Sequence, residues 1–104
     1  MERTYYVYIL ECSDGSFYIG VTSDLVARFE GHQEGIFRTA YTHSRRPVKL
    51  VYYEEFDDIG FAITREKQLK KWVRRKKIAL IKGQESELIR LAKRIKKPSP
   101  SLSS

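Results

Sequence analysis

The chain has 104 residues, enough for one domain with a modest hydrophobic core that folds without metal or disulfide staples. Its single cysteine, Cys12, has no partner for an internal disulfide. No apolar run reaches the length that a signal peptide or a membrane span needs. We therefore expect a cytoplasmic protein without a membrane partner.

Charge is distributed unevenly along the sequence. The formal net charge is +7, but residues 1–63 carry six basic and ten acidic side chains, whereas residues 64–97 carry fourteen basic and three acidic ones. Such asymmetry favours a polyanion, above all nucleic acid, as the partner of the C-terminal half. A solvated helix surface and an acidic membrane surface are the alternatives. The membrane is the weaker one, because the basic residues do not alternate with a stripe of large apolar ones.

The first predicted elements are the strands of a β-hairpin, Tyr5–Leu10 and Phe17–Thr22, which are rich in β-branched and aromatic residues. A three-residue turn, Ser13-Asp14-Gly15 with Gly15 left-handed, places Tyr8 opposite Gly20. A two-residue loop would scramble the faces that this register separates. One predicted face is apolar and consists of Tyr5, Val7, Ile9, Phe17, Ile19 and Val21; the other consists of Tyr6, Tyr8, Leu10, Tyr18, Gly20 and Thr22.

Three tyrosines, Tyr6, Tyr8 and Tyr18, lie on the second face of this hairpin. Gly20 has no side chain, so it leaves room over Tyr8 for a group that approaches the backbone closely. Tyrosines on one sheet face either cover a half-buried sheet or line a functional site. The hairpin alone does not distinguish these interpretations.

Beyond the hairpin the hydrophobic period changes from two residues to about 3.6, the period of a helix. Ser23-Asp24 can cap the start of this helix, and the stretch from Gly31 to Gly35 interrupts it. One face carries Leu25, Arg28, Phe29 and His32. An arginine can extend to solvent from such a face, and a lone histidine there is usually structural.

A polar, basic segment from Gln33 to Arg46 follows the first helix. It contains Arg38, Thr39, Tyr41, Thr42, His43, Arg45 and Arg46. A loop of this composition either binds a substrate or is a flexible connection. Val48 to Phe56 is then a third strand, and Pro47 precedes it where a missing N–H is tolerated.

The second predicted helix runs from Ile59 to Val73 and has an acidic residue in its apolar stripe. The stripe consists of Ile59, Ala62, Ile63, Leu69 and Val73, and Glu66 occupies a position within it. Because an unpaired buried charge costs several kcal/mol, the Glu66 carboxylate should be paired, protonated or bound to a cation. Arg65, Lys67 and Lys70 are candidate partners, so an ion pair and a metal site are both open.

The remaining sequence predicts helices at about Lys76 to Lys82 and at Glu85 to Lys96, followed by a disordered tail rich in proline and serine, Pro98 to Ser104. We accordingly divide the chain into a main domain at residues 1–83, a basic helix at 84–97 that packs on or extends it, and a tail at 98–104.

Five of these features together resemble the GIY-YIG nuclease domain over about residues 4 to 82. They are Tyr6-Val7-Tyr8, Tyr18-Ile19-Gly20, Arg28, His32 and Glu66, in that order and at similar separations. The stretch Arg65-Glu66-Lys67-Gln68-Leu69-Lys70-Lys71-Trp72 resembles the small stand-alone bacterial subgroup called UPF0213 or YhbQ-like. The resemblance implies an α+β fold with a small, three-stranded, mostly antiparallel sheet flanked by helices, in the order β-β-α-β-α-α with a further C-terminal helix.

The resemblance also implies a metal-dependent phosphodiesterase with catalytic residues Tyr8, Tyr18, Arg28, His32 and Glu66. Glu66 is then the sole protein ligand of one divalent cation, Mg²⁺ or Mn²⁺, whose remaining sites hold water and substrate phosphate. Arg28 stabilises charge on the phosphate. Tyr8 and Tyr18 position the attacking water and help to deprotonate it, and His32 has a hydrogen-bonding or relay role.

The partner expected from this resemblance and from the charge is DNA, with RNA as the alternative, and no small-molecule cofactor. The predicted phosphate contacts are Arg45, Arg46, Lys70, Lys71, Arg74, Arg75, Lys76 and Lys77. Phosphate contacts carry little sequence information, so cleavage should be weakly specific or selective for DNA structure, as in repair and recombination. We expect a monomer or a weak homodimer.

Two departures from the family pattern stand out. Tyr6 occupies the position of the glycine in the family's name. The chain also contains no asparagine, although many members carry one after the metal-binding helix; Gln68, Lys76 and Lys77 are the candidate replacements. The alternatives are therefore a binding module of the same fold with little catalysis, and an adaptor whose basic surface meets an acidic protein.

Overall fold

The computed structural model describes residues 3–84, which form three strands and three α-helices. In chain order they are β1 (Tyr5–Glu11), β2 (Phe17–Thr22), α1 (Leu25–Glu34), a short 3₁₀ turn (His43–Arg45), β3 (Lys49–Phe56), α2 (Ile59–Lys70) and α3 (residues 74–84). The predicted α+β class and element order are confirmed over this range. The predicted helix Glu85 to Lys96 and the tail lie outside the described residues, so the division of the chain after residue 83 stays a prediction.

The sheet has the order β2-β1-β3, and both pairs of strands are antiparallel. Tyr8 pairs with Gly20 across the hairpin, which confirms the register of the three-residue turn. Gly15 has a φ of 85°, a left-handed conformation that favours glycine. The Cys12 N–H donates to the Ser16 carbonyl at 2.8 Å, which closes the loop.

Each face of the sheet supports its own hydrophobic cluster. On the α2 face, Val7, Ile9, Ile19 and Tyr52 pack with Ala62 and Leu69 of α2. On the α1 face, Tyr8, Leu10, Cys12 and Val48 pack with Tyr18 and with Leu25 and Phe29 of α1. The predicted separation of the hairpin side chains into two sets therefore corresponds to two distinct packing layers.

Helix α1 is fixed at both ends and closely covered near its last turn. The Asp24 carboxylate accepts a hydrogen bond from the Ala27 N–H at 3.1 Å, and Gly35 ends the helix with a φ of 77°. Gly31 is buried within the helix, and the Phe37 ring packs so closely on it that a Cβ there would lie 2.6 Å from that ring. The predicted interruption at Gly31 therefore falls inside the helix, which continues to Glu34.

Helix α2 is shorter than predicted and buries a narrower stripe. It ends at Lys70 rather than Val73, while α3 is longer than the predicted Lys76 to Lys82. Ala62 and Leu69 are buried, but Ile59, Ile63 and Val73 are 43%, 39% and 62% exposed. Ile59 is the first residue of the helix and Ile63 lies beside the buried row, so the apolar spacing overstated the contact with the sheet.

Two glutamine side chains bind backbone groups of β3 and of the residue before it. The Gln33 amide accepts from the Val48 N–H at 2.8 Å and donates to the Val48 carbonyl at 2.7 Å. Gln84 binds both backbone groups of Tyr53 in the same way, at 2.9 and 2.7 Å. The first contact ties α1 to the start of β3, and the second ties α3 to this strand. Across residues 3–84, no helix has the length and hydropathy to cross a bilayer.

Candidate active site

Four of the predicted site residues converge on the α1 face of the sheet. Tyr8 comes from β1, Tyr18 from β2, and Arg28 and His32 from successive turns of α1. The ring centroids of Tyr8 and Tyr18 lie 6.2 Å apart, and that of His32 lies 6.1 and 5.0 Å from them. We call these four residues the tyrosine–histidine cluster.

Gly20 makes space for this cluster in a way that differs from the prediction. A Cβ at Gly20 would lie 2.5 Å from the Tyr8 hydroxyl oxygen. The Tyr8 ring itself therefore fills the space that we expected an external group to enter. Any side chain at position 20 would displace the Tyr8 hydroxyl from His32.

His32 lies between two hydroxyl groups in a buried position. Its Nε2 lies 3.2 Å from the Tyr8 hydroxyl and its Nδ1 lies 2.7 Å from the Thr42 Oγ1. Thr42 is fully buried, although the sequence placed it in a polar loop with no period to indicate burial. Burial, and then the nearby positive charge of Arg28, lowers the pKa of His32, so the neutral imidazole is favoured.

Tyr8 is a neutral phenol in this environment. Burial is the largest cause that raises its pKa, and the proximity of Tyr18 adds to the rise. The Arg28 guanidinium opposes it through its positive charge and through hydrogen bonding. Arg28 is half-buried, with its Cζ 5.4 Å from the Phe37 ring centroid. The cluster thus joins a proton donor, a neutral imidazole and a cation.

Glu66 lies on α2, which covers the opposite face of the sheet. Its side chain is only 18% exposed, as its place between Ala62 and Leu69 predicted. Lys70, one helical turn on and 53% exposed, pairs with it at 2.8 Å. The ion pair that the sequence left open is therefore present, and its partner is Lys70 rather than Arg65 or Lys67.

Arg65 pairs with a different carboxylate, that of Glu54. It forms an ion pair with Glu54 of β3, with an N–O distance of 2.8 Å, and the Tyr52 hydroxyl donates to the same carboxylate. Arg65 also donates to Gln68 at 2.5 Å. This network links α2 to β3 next to the position of Glu66.

A single carboxylate, that of Glu66, is the group that would hold a hydrated divalent cation here. Within residues 3–84, no group of three or more His, Cys, Asp or Glu side chains could enclose a metal ion. Mg²⁺ does not need such an enclosure, because it commonly binds one or two carboxylates and keeps several waters. Lys70 is 53% exposed, so its amine can move into solvent and leave the Glu66 carboxylate to a divalent cation. Glu66 thus remains a candidate ligand for Mg²⁺ or Mn²⁺.

The basic residues predicted to bind phosphate fall into two groups. Arg45 pairs with Asp14 at 3.1 Å, Arg46 donates to the His43 carbonyl at 2.8 Å, and Arg74 donates to the Gly15 carbonyl at 2.7 Å. The side chains of these three arginines are therefore already engaged in contacts within the protein. Lys70 is the partner of Glu66, as described above.

The second group consists of basic side chains that are free to meet a ligand. Within the part of the chain that the structure describes, Lys71, Arg75 and Lys77 make no side-chain hydrogen bond or ion pair. Lys76 lies over the Trp72 ring, with Nζ 4.4 Å from its centroid. Of the candidate replacements for the missing asparagine, Gln68 is bound to Arg65 and Lys76 lies on Trp72, which leaves Lys77.

Comparison with known proteins identifies the class to which this fold and cluster belong. A family model described as the GIY-YIG catalytic domain matches residues 4–79. The chain therefore belongs to the GIY-YIG family, which is a nuclease family whose members typically use a divalent metal ion. The resemblance on which the sequence interpretation was based is confirmed.

Individual relatives place the chain within the UPF0213 group. It is 48% identical over 77 residues to a UPF0213 protein of Syntrophus aciditrophicus, which covers 74% of this chain and 88% of that protein. It is 46% identical over 79 residues to a UPF0213 protein of Staphylococcus aureus, with coverage of 76% and 95%.

Two solved structures share the fold. One is the solution NMR structure of the UPF0213 protein BH0048 from Bacillus halodurans, with 37% identity and a TM-score of 0.55. That match covers 86% of this chain and 95% of the other. The other is the protein EF2693 from E. faecalis, with 34% identity, a TM-score of 0.54 and coverage of 80% and 90%.

Proposed function

We propose that this protein is a metal-dependent endonuclease that hydrolyses DNA phosphodiester bonds with little sequence specificity and a preference for branched, flapped, nicked or single-stranded DNA. The observation that carries the proposal is the convergence of two tyrosines, an arginine and a neutral histidine on one face of a family nuclease fold. Simple coverage of the sheet would not need a buried histidine between two hydroxyls.

The proton path is assigned to Tyr8 and His32. When Nδ1 of His32 carries the proton and donates to Thr42, Nε2 is an acceptor for the Tyr8 hydroxyl, 3.2 Å away. As the attacking water gives a proton to Tyr8, Tyr8 gives its own proton to His32. This relay avoids a free phenolate, which burial disfavours, and forms instead an imidazolium, which burial and the Arg28 charge also disfavour. Tyr18 has its ring against His32 and orients the water beside Tyr8.

The remaining groups act on the phosphate. The water oxygen forms a bond to phosphorus while the bond from phosphorus to the leaving sugar oxygen breaks, and that oxygen takes a proton from solvent water. Arg28 stabilises the negative charge that grows on the non-bridging oxygens in this step. Glu66 would hold one Mg²⁺ or Mn²⁺, which when bound polarises the phosphate and supports deprotonation of water. Helix α2 packs on β1 and β2, the strands that carry Tyr8 and Tyr18, but on the opposite face of the sheet from the tyrosine–histidine cluster. A phosphate within reach of both faces must lie at an edge of the sheet, and β2 is the edge strand that carries Tyr18. The proposal therefore places the scissile phosphate near the β2 edge.

DNA affinity is assigned mainly to the unpaired cations of α3 and the segment before it. Lys71, Arg75 and Lys77 supply phosphate contacts, and each neutralised phosphate contributes about −0.9 to the slope of log K against log salt concentration. Such contacts read the backbone and not the bases, which suits selection by DNA shape.

A second candidate is a nucleic-acid-binding module with the same fold and little catalysis. Two observations favour it: the chain contains no asparagine, and Glu66 is engaged by Lys70. Under this alternative the protein binds DNA with the salt dependence given above but does not cleave it in Mg²⁺ or in Mn²⁺.

The test is cleavage of supercoiled plasmid, linear duplex and synthetic branched duplex by the purified protein in Mg²⁺, Mn²⁺ or EDTA. We expect metal-dependent cleavage, with the branched duplex cut fastest. Equal rates on linear and branched duplex would remove the structural selectivity. Salt-dependent binding without cutting in either metal would establish the second candidate instead.

A further inference from the structure

Tyr41 lies against the tyrosine–histidine cluster but is not one of its predicted members. Its ring stacks on that of Tyr18, with centroids 6.4 Å apart and an interplanar angle of 16°. Tyr41 belongs to the loop before the 3₁₀ turn and is 43% exposed. An exposed aromatic ring in a loop needs a further contact to keep such an orientation, because the sheet does not enclose it.

Arg45 supplies that contact. Its guanidinium carbon lies 3.8 Å from the Tyr41 ring centroid, and its Nη1 donates to the Tyr41 carbonyl at 2.9 Å. Its Nε donates to the Asp14 carboxylate at 3.1 Å. The Ser13 N–H donates to the Arg45 carbonyl at 2.8 Å, so the hairpin turn holds both the side chain and the backbone of Arg45.

We infer that Tyr41 and Arg45 are positioning residues for Tyr18, an assignment that rests on the proposed function. The chain of contacts runs from Asp14 through Arg45 and Tyr41 to Tyr18, and it closes the open side of the ring that orients the attacking water. Arg45 is thereby reassigned from a phosphate contact to a group that acts through Tyr41. A planar guanidinium suits this role, whereas a lysine keeps the charge without the stacking surface.

The first experiment measures geometry without cleavage. The NOEs between the Tyr18 and His32 rings are recorded by NMR in the full chain and in its Tyr41→Phe, Tyr41→Ser and Arg45→Gln variants, because loss of the Tyr41 ring current would move the Tyr18 shifts whether or not the ring reorients. We expect these NOEs to be kept in Tyr41→Phe, which retains a stacking ring, and to weaken in the other two. Unchanged NOEs in Tyr41→Ser would overturn the inference, whether or not the protein is a nuclease.

The second experiment separates positioning from phosphate binding. DNA affinity is measured against salt concentration in EDTA for Arg45→Gln, with Arg75→Gln as the matched control. We expect the control to lower the magnitude of the slope by about 0.9 and Arg45→Gln to leave it unchanged. A similar loss in Arg45→Gln would restore Arg45 as a phosphate contact and overturn its positioning role.

The third experiment measures kcat and KM separately. In Mn²⁺ or Mg²⁺, Tyr41→Ser and Arg45→Gln should lower kcat by about threefold to tenfold with KM unchanged, because an aromatic or cation–π contact is of this size. Tyr41→Phe should restore kcat. A rise in KM at constant kcat would contradict positioning. Absence of cleavage in the parent protein would rule out the proposed function. The NMR experiment would still show whether Tyr41 and Arg45 hold the Tyr18 ring in place.

Discussion

At the scale of single residues, the proposed proton relay depends on keeping one imidazole neutral. His32 is buried between Tyr8 and Thr42, and its pKa is lowered by burial and then by Arg28. A protonated imidazole could not accept the Tyr8 proton. The local environment therefore sets the protonation state that the proposed relay requires.

This lowered pKa has a defined effect on folding. The unfolded chain binds the His32 proton more readily than the folded chain does, because its histidine titrates near 6.5. The contribution of neutral His32 to stability is thus complete above pH 6.5 and is lost as the pH falls through the lowered value in the folded state. Carboxylates ordinarily titrate below pH 5, so they add little to the upper part of this window.

We accordingly expect the free energy of unfolding of the full chain to fall between pH 7 and pH 5, and to fall less in His32→Gln. Urea unfolding at a series of pH values measures both slopes. His32→Gln will lower stability at all pH values, so the comparison depends on the slope and not on the absolute value. Identical slopes in the two proteins would show that His32 is not preferentially neutral in the folded state.

At the scale of elements, the sequence predicted what depends on local pattern. The hairpin register followed from Gly15 and the alternation on both strands, because a one-residue slip would reverse the faces. Helical spacing placed Arg28 and His32 on one face of α1, and the resemblance to the GIY-YIG domain grouped them with Tyr8 and Tyr18. These regularities are short-range and therefore visible in one sequence.

Apart from the boundaries of the helices, the errors concern contacts between elements that lie far apart in sequence. Periodicity could not show that Ile59 and Ile63 remain exposed, since that depends on how much of α2 the sheet covers. Nor could it show that Thr42 is buried against His32 or that Gln33 binds Val48. Polar pairs of this kind have no spacing rule, so only the folded chain identifies them.

The contact between Gln33 and Val48 makes a prediction at this scale. Removing the amide in Gln33→Ala leaves two backbone groups of the buried Val48 without their partner. We expect a loss of roughly 1–3 kcal/mol in the free energy of unfolding, the cost of buried unsatisfied polar groups. Glu34→Ala, at the exposed neighbouring position, is the control. Equal stability of the two variants would mean that water replaces the Gln33 amide at no cost.

At the scale of the whole molecule, the two faces of the sheet have different proposed tasks. The α1 face holds the tyrosine–histidine cluster, and the α2 face carries Glu66 beside the start of the basic region. The charge asymmetry of the sequence corresponds in part to Lys71, Arg75 and Lys77, which have no ion-pair partner within residues 3–84. Under the proposed function, a DNA strand that meets these cations would pass the start of α3, where Arg74 donates to the Gly15 carbonyl of the hairpin turn.

The proposed nuclease site is tested most sharply by the rate of cleavage of a branched duplex in Mn²⁺ by the parent protein and by Tyr8→Phe and Glu66→Gln. Tyr5→Phe and Glu55→Gln make the same chemical changes outside the site and serve as controls. We expect each site variant to lose roughly a hundredfold or more in kcat, as loss of a proton-transfer group or metal ligand does, while both controls cut normally. Cleavage by either site variant at the parental rate would contradict the assignment of that residue to the nuclease site.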